Sequence, residues 1–470
     1  MRTIPYILGG RTISPLSLLQ ADALVCLHTI SGFRQTRASD GGTQIHRLVL
    51  AIVFSLVSSF TNAQIIVTDY PEIYAIKVVG NDVTNENLIL REMKLAPGKR
   101  ADPELLEADR FHLLSLGVFN HVELTIISDL GRAVVLVRVT ERFYIYPYPI
   151  FRYDPKNPLH RVYGIIVSHY NYRGYAERLS FGWWDGYERG MYILHRDPWF
   201  SIGGKYGLRT HIIFNDVEVT SPEGIAYRAA TESFALRLQK RLGRDRWVGL
   251  EGEWQERSSK GPFYTLSESG RDRLLIGRIY YETEKRNYVY YPRKGYYFTF
   301  VSGVNHMVDT THAFYDEHAD WRIYRSFGRI TLALRSSGQL TQKTIPWYRK
   351  PELATSELRS NSALGLKGTS YFSTNFEVRF NIMPIRYFSF GEIPLAGRYL
   401  QKLKFSLEGL LFLDRGYLDY TEGTHYSGFT ACGFGLQFQL PYVEAGHVLV
   451  GWDPETRSHP MFLVRSGVTF

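Results

Sequence analysis

His195-Arg196-Asp197 spells the catalytic triplet of protein kinases, in which the aspartate accepts a proton from the attacking hydroxyl. That chemistry also needs a glycine-rich phosphate loop, a D-F-G magnesium site and a helical lobe, and the sequence offers none of them. G-x-S-x-G, H-E-x-x-H and Walker patterns are missing as well. The 14 histidines are scattered without ligand spacing, and Cys26 and Cys432 are too few for a metal cluster or a disulfide framework. The chain therefore reads as a non-enzyme that needs no cofactor.

The elements around that triplet explain why. Aromatic residues make up 15% of the 470, with 33 Tyr and 28 Phe, yet only 44% of the chain is hydrophobic and the mean hydropathy is −0.19. This is too polar for a helical membrane protein and too rich in aromatic surface for a disordered one. A β-rich chain remains. Its formal charge of +9 falls to +6 once residues 1–63, with 5 basic and 2 acidic residues, are set aside. The remaining charges are interleaved in sign and form no stripe that could follow phosphates, which excludes a nucleic-acid partner.

Leu48 to Phe60 runs 13 residues without a charge, bounded by Arg47 and by Thr61-Asn62-Ala63. It is shorter than the ~18 residues that a membrane-spanning helix needs and fits the apolar core of a secretory signal cut after Ala63. Residues 1–63 are thus a leader, and residues 1–44, an awkward prefix for a signal peptide, point to a mis-set translation start. No later apolar run is long enough for a spanning helix, so membrane residence requires a closed barrel.

Residues 72–142 read as a small mixed domain. Tyr74 to Val79 is a strand closed by Gly80-Asn81, and Thr84 is expected to cap a short helix. Asp102 and Pro103 start a second helix, with Leu105, Leu106, Leu113 and Leu114 at helical spacing until Gly117. His121 to Ser128 and Ala133 to Val139 complete a β-α-α-β-β order. These residues resemble a polypeptide-transport-associated (POTRA) domain. Ile76, Val78, Gly80 and Asn81 match its opening, and Leu113, Leu116, Gly117, Phe119 and Val122 match its second signature. The resemblance implies that an exposed sheet edge receives an extended client by strand addition.

Residues 143–470 alternate with period 2. In STNFEVRFNI, Thr374, Phe376, Val378, Phe380 and Ile382 share one face and Ser373, Asn375, Glu377, Arg379 and Asn381 the other. Lys404, Ser406, Glu408 and Asp414 likewise oppose Phe405, Leu407, Leu411 and Leu413. Fifteen such segments begin near Val162, Ala176, Arg189, Gly204, Ser233, Trp247, Leu274, Gly295, Ala313, Arg329, Ser373, Lys404, Gly428, Val448 and Met461. A sheet of that size is stable when closed. Trp183, Trp184, Trp199, Tyr290, Tyr291, Tyr296 and Tyr297, at segment ends, are placed as interfacial girdles. Both chain ends lying on one side of a membrane requires an even number, so about sixteen strands are expected, with the sixteenth sought between Gln339 and Ser360. The fold class is a transmembrane antiparallel β-barrel behind one α+β domain. Phe462, Val464, Val468 and Phe470 give the final strand an apolar stripe that resembles the terminal signal of outer-membrane barrels.

POTRA-like module and barrel together resemble the bacterial surface antigen family, the BamA/TamA group. Asp197 to Phe200 (DPWF), Asn171 to Leu179 (NYRGYAERL) and Tyr290 to Phe300 (YYPRKGYYFTF) carry further family patterns. The resemblance implies a lumen loop that presents a cation to two carboxylates. In this sequence LKGT stands at that place, so Lys367 and Gly368 would face Glu377 and Asp414. Lysine lacks the bidentate fork of arginine, so a weaker pairing is expected. It further implies a seam between a first strand, Val162 to Tyr170, and a last, Met461 to Phe470, that opens to template clients. The function implied is insertion or translocation of other polypeptides at the bacterial outer membrane, with the POTRA-like domain in the periplasm. Its partners would be unfolded outer-membrane or secreted polypeptides, outer-membrane lipids, and periplasmic chaperones or lipoproteins. The alternative is a passive diffusion pore whose small domain is structural.

Overall fold

The computed structural model describes residues 70–470 apart from residues 130–131, 155–156, 201–203, 221–225, 260–264, 311, 343, 361, 364–365, 391–396, 420–425, 457–458 and 467–470. The expected leader lies outside the described residues, as do Val468 and Phe470. No described helix is long and apolar enough to cross a membrane.

The small domain comprises β1 (Ile73–Val79), α1 (Glu86–Glu92), α2 (Pro103–Ser115), β2 (Phe119–Asp129) and β3 (Arg132–Glu141). Its sheet runs β1-β3-β2, with β1 parallel to β3. Asp102 caps α2 by accepting from Glu104 N–H at 2.9 Å, with Pro103 in the first turn, where a missing N–H costs nothing. α1 departs from expectation. Its cap is Asn85, which accepts from Asn87 N–H, while the Thr84 hydroxyl lies 3.2 Å from Tyr144 Oη and accepts from Asn171 Nδ2 at 3.0 Å. A tertiary contact has claimed the residue that local preference assigned to the helix.

Sixteen antiparallel strands follow, each paired with its sequence neighbour. The first eight are β4 (Ile145–Asp154), β5 (Asn157–Tyr172), β6 (Glu177–Gly186), β7 (Arg189–Asp197), β8 (Tyr206–Thr220), β9 (Ala226–Gly243), β10 (Arg246–Ser259) and β11 (Arg271–Glu284). The rest are β12 (Gly295–Met307), β13 (Ala313–Phe327), β14 (Ile330–Thr341), β15 (Ser370–Phe388), β16 (Leu403–Asp419), β17 (Tyr426–Leu440), β18 (Val443–Trp452) and β19 (Met461–Ser466). The sixteenth strand is β4, not a segment after Gln339. After β14 the chain enters a long loop that includes a 3-10 turn, Trp347–Arg349.

Burial is inverted relative to a soluble sheet. Leu411 and Leu413 are each 52% exposed, while Glu408 and Asp414 on the opposite face are 2% and 0% exposed. The same holds on β15, where Phe380 and Ile382 lie outside and Asn375, Glu377 and Arg379 inside. Apolar side chains turned outward on these strands suit a hydrocarbon surround, and the polar lining belongs to a lumen.

Candidate functional site

Three arrangements stand out: a loop locked across the lumen, a domain docked on one end of the barrel, and a seam.

The loop between β14 and β15 reaches many strands. Tyr348 donates to Asp272 Oδ2 on β11 at 2.9 Å, and Arg335 of β14 donates to Ser356 O at 2.7 Å. Arg465 of β19 donates to Thr355 O. At its centre Arg359 forks onto Asp414, with Nε to Oδ2 at 2.8 Å and Nη2 to Oδ1 at 2.6 Å, and gives Nη1 to Glu377. The guanidinium also lies 3.9 Å from the Phe412 ring centroid, which suits a planar cation that stacks as well as forks. All three charged side chains are buried, so each would be costly without the others.

Arg359, not Lys367, is therefore the cation of the lock. The Lys367 Nζ sits 5.3 Å from the Trp347 ring centroid, and its backbone forms a bridge with Glu352. Gly368 has a steric role: a Cβ there would stand 2.1 Å from Asp419 O, so the loop can pass β16 only at glycine. Leu358-Arg359-Ser360 carries the arginine eight residues ahead of Lys367, with serine rather than glycine after the cation, so LKGT drew attention away from it.

Among the described residues the small domain touches at least five of the connections at its end of the barrel. Asn85 N–H donates to Gly174 O between β5 and β6 at 3.0 Å. Trp199, between β7 and β8, lies under Arg91 and Arg241 at 5.5 and 4.1 Å. Arg241 and Arg244, at the β9–β10 turn, pair with Glu92 at 3.0 Å and with Asp109. Tyr288 and Tyr291, between β11 and β12, are buried in one core with Ile89, Leu113, Phe119 and Val135. Asn120 Nδ2 donates to Tyr399 O between β15 and β16 at 2.9 Å. Tyr291, expected in a girdle, is thus a core residue of the docked domain, and Trp199 is a stacking platform. Burial alone would raise the Glu92 carboxyl, but the His112 hydrogen bond and the Arg241 charge outweigh it and hold the group below the usual range.

The glycine-bearing stretches 76–81 and 113–122 shape the domain itself and, at Gly117, its contact with the barrel. Gly80 adopts φ 88°, and a Cβ there would meet Val139 O at 2.2 Å. Asn81 Nδ2 donates to Thr84 O at 3.1 Å. Gly117 ends α2 at φ 73° and faces Tyr290, and Phe119 is fully buried. The triplet His195-Arg196-Asp197 is structural: His195 Nε2 lies 2.6 Å from Glu177 Oε1, and Asp197 accepts from Trp199 N–H and Arg173.

The edge strands of the sheet are β4 and β19, and among the described residues no ladder joins them. Val162 and Tyr170 lie on β5, one strand inside the edge, so the expected first strand is the second. Met461 opens β19.

A single small α+β domain docked on a sixteen-stranded barrel with a loop-crossed lumen defines a POTRA-barrel architecture. Residues 71–142 match the family described as POTRA, surface antigen variable number repeat. The fold is that of BamA from Haemophilus ducreyi lacking POTRA domains 1–3, at 13% identity over 84% of this chain and 83% of that one, with a TM-score of 0.50. It is also that of CdiB from Escherichia coli, at 13% identity over 84% and 76%, with a TM-score of 0.57. No curated protein matches the sequence.

Proposed function

We propose that the protein resides in the bacterial outer membrane, with its POTRA domain in the periplasm, and assists the insertion or translocation of other polypeptides. The observation that carries this reading is the combination of a loop pinned across the lumen by Arg359 with sheet edges at β4 and β19 that share no ladder among the described residues. A passive pore requires the reverse, an open lumen in a fully laddered wall. Unfolded outer-membrane or secreted polypeptides would be the clients, membrane lipids their destination, and periplasmic chaperones or lipoproteins the delivery partners. Client folding would supply the energy, and no catalytic step enters.

The test is insertion of an unfolded barrel client into liposomes carrying the protein, with cysteine pairs placed across β4 and β19 and closed by oxidation. Insertion should stop on oxidation and return on reduction. Undiminished insertion through a locked seam would sink this route. Planar-bilayer recordings check the alternative, since a wide and steady conductance would favour the passive pore.

A further inference from the structure

The two rims of the barrel treat their cations differently. At the rim away from the small domain, arginines meet carboxylates: Arg228 pairs with Asp216 at 2.9 Å, Arg271 with Glu256 at 3.4 Å and Arg415 with Glu455 at 2.7 Å. Arg273 holds Asp309 at 2.5 Å, and Arg189 approaches Asp185 at 3.8 Å. At the domain-side rim, cations turned toward the domain are paired, as Arg241 and Arg244 are. Cations turned outward are not. Lys240 near the end of β9, Arg246 at the start of β10, Arg329 in the β13–β14 turn and Arg386 near the end of β15 are exposed, and none of the four meets a carboxylate among the described residues.

Alternation along the strands places them on the lipid-facing side. On β9 Phe234, Leu236 and Leu238 are exposed, Lys240 is the next member of that face, and Leu242 follows it. On β10 Leu250 is exposed, and Arg246 stands two steps back along the same face. Exposure alternates on β15 through Phe380 and Ile382 to Arg386 and Phe388. Two residues of strand span about 7 Å, so Lys240 leaves the backbone that close to the apolar belt.

Aromatic and apolar side chains are set between these cations. Tyr206 lies directly across the β8–β9 ladder from Lys240 and is exposed. Arg329 stands between exposed Phe327 and Ile330. Beyond Arg386 come Phe388 and Phe390, with ring centroids 5.6 Å apart. Aromatics and long cations at the edge of an apolar belt are the composition of a boundary between hydrocarbon and headgroups. There the aliphatic stems lie along apolar surface while the charged ends reach the polar layer.

An arginine already held by a carboxylate offers little net field to a further partner, whereas an unpaired one keeps its whole charge for it. The four unpaired cations are spread from β9 to β15 and converge on no pocket, which suits an annulus of lipids better than one bound ligand. A polypeptide partner would have to meet them inside the headgroup layer.

We propose that the domain-side rim recruits anionic phospholipid, with Lys240, Arg246, Arg329 and Arg386 holding the phosphates of the leaflet that faces the POTRA domain. This rests on the membrane residence and orientation given under the proposed function. Near an anionic surface each such cation is worth about fivefold in affinity.

The test reconstitutes the full chain into phosphatidylcholine liposomes and adds phosphatidylglycerol or phosphatidylcholine carrying a spin label near the end of one acyl chain. Electron spin resonance then reads the fraction of each probe that the protein restricts. At low salt the parent should restrict phosphatidylglycerol at least about twofold more than phosphatidylcholine, and about 1 M salt, which screens beyond roughly 3 Å, should erase the difference. Lys240→Gln/Arg246→Gln/Arg329→Gln/Arg386→Gln should lose the preference. Lys240→Arg/Arg246→Lys/Arg329→Lys/Arg386→Lys should keep it, and so should Arg228→Gln/Asp216→Asn, which removes a paired cation of the far rim together with its partner. An unboiled SDS gel checks that every variant is folded. Equal restriction of both probes by the inserted parent would overturn the inference, as would an undiminished preference in the fourfold glutamine variant. A folded chain that fails to enter liposomes would instead overturn the membrane reading, and this inference with it.

Discussion

His112 Nε2 lies 2.7 Å from Glu92 Oε2, and the other oxygen of that carboxylate takes Arg241 Nη2 at 3.0 Å, so one buried group ties α1 to α2 and both to the barrel. Glu92 is 1% exposed, and its carboxyl is held below the usual range in the docked state. A group whose folded pKa is depressed stabilises the fold above its unfolded pKa and loses that contribution as pH falls through the folded value. Docking of the domain should therefore be intact at neutral pH and weaken in acid, below the ordinary glutamate range. Protease protection of residues 70–142 across pH 3 to 7 checks this, and Glu92→Gln should be weaker at neutral pH and flat across the acidic window.

Arg359→Ala strips Asp414 of its guanidinium and leaves Glu377 with Arg379 alone, at 2.7 Å; uncovering a buried charge costs about 3–5 kcal/mol in comparable sites. The loop should leave the lumen, seen as cleavage of residues 342–369 by added protease and as larger conductance in planar bilayers. Arg359→Lys should fall between, because it restores charge without the fork. Lys367→Ala should leave conductance near the parent value. A reversed ranking of Arg359 and Lys367 would refute the assignment.

Gly174 adopts φ 78°, and a Cβ there would stand 2.5 Å from Val83 O. Both backbone conformation and contact exclude a side chain. Gly174→Val should unseat the domain and raise its proteolysis. Gly243→Ala, with nothing within 4 Å of the added Cβ, should leave protection unchanged.

Tyr291 is buried in the shared core, so Tyr291→Ala should destabilise docking by the order of 3 kcal/mol expected for a large aromatic cut to alanine. Calorimetry should then show the domain melting apart from the barrel, where the parent melts them together.

Alternation made most of the barrel legible, since a lumen and a lipid face impose period 2 on every strand, and fifteen strands announce themselves. The sixteenth, β4, carries Pro147 and Pro149, residues that strands resist and an edge tolerates. Glu377 and Asp414 could be placed on the inner face from register alone. Their partner could not, because a loop carries no periodicity and Arg359 reaches them through a path that spacing does not encode. Tyr291 and Thr84 were misread for a related reason. An aromatic at a strand end and a hydroxyl before a helix have strong local meanings, and here docking of the domain overrides both.

The strand order has a consequence for how the chain assembles. Every strand of the barrel is bonded to the one made just before or after it, so the sheet can grow hairpin by hairpin with little loop-closure entropy at each addition. The long-range costs gather at three events: docking of the domain, threading of the loop, and meeting of the first and last strands. Folding of this large sheet is therefore a local process until its end, and its slow step belongs to those late closures.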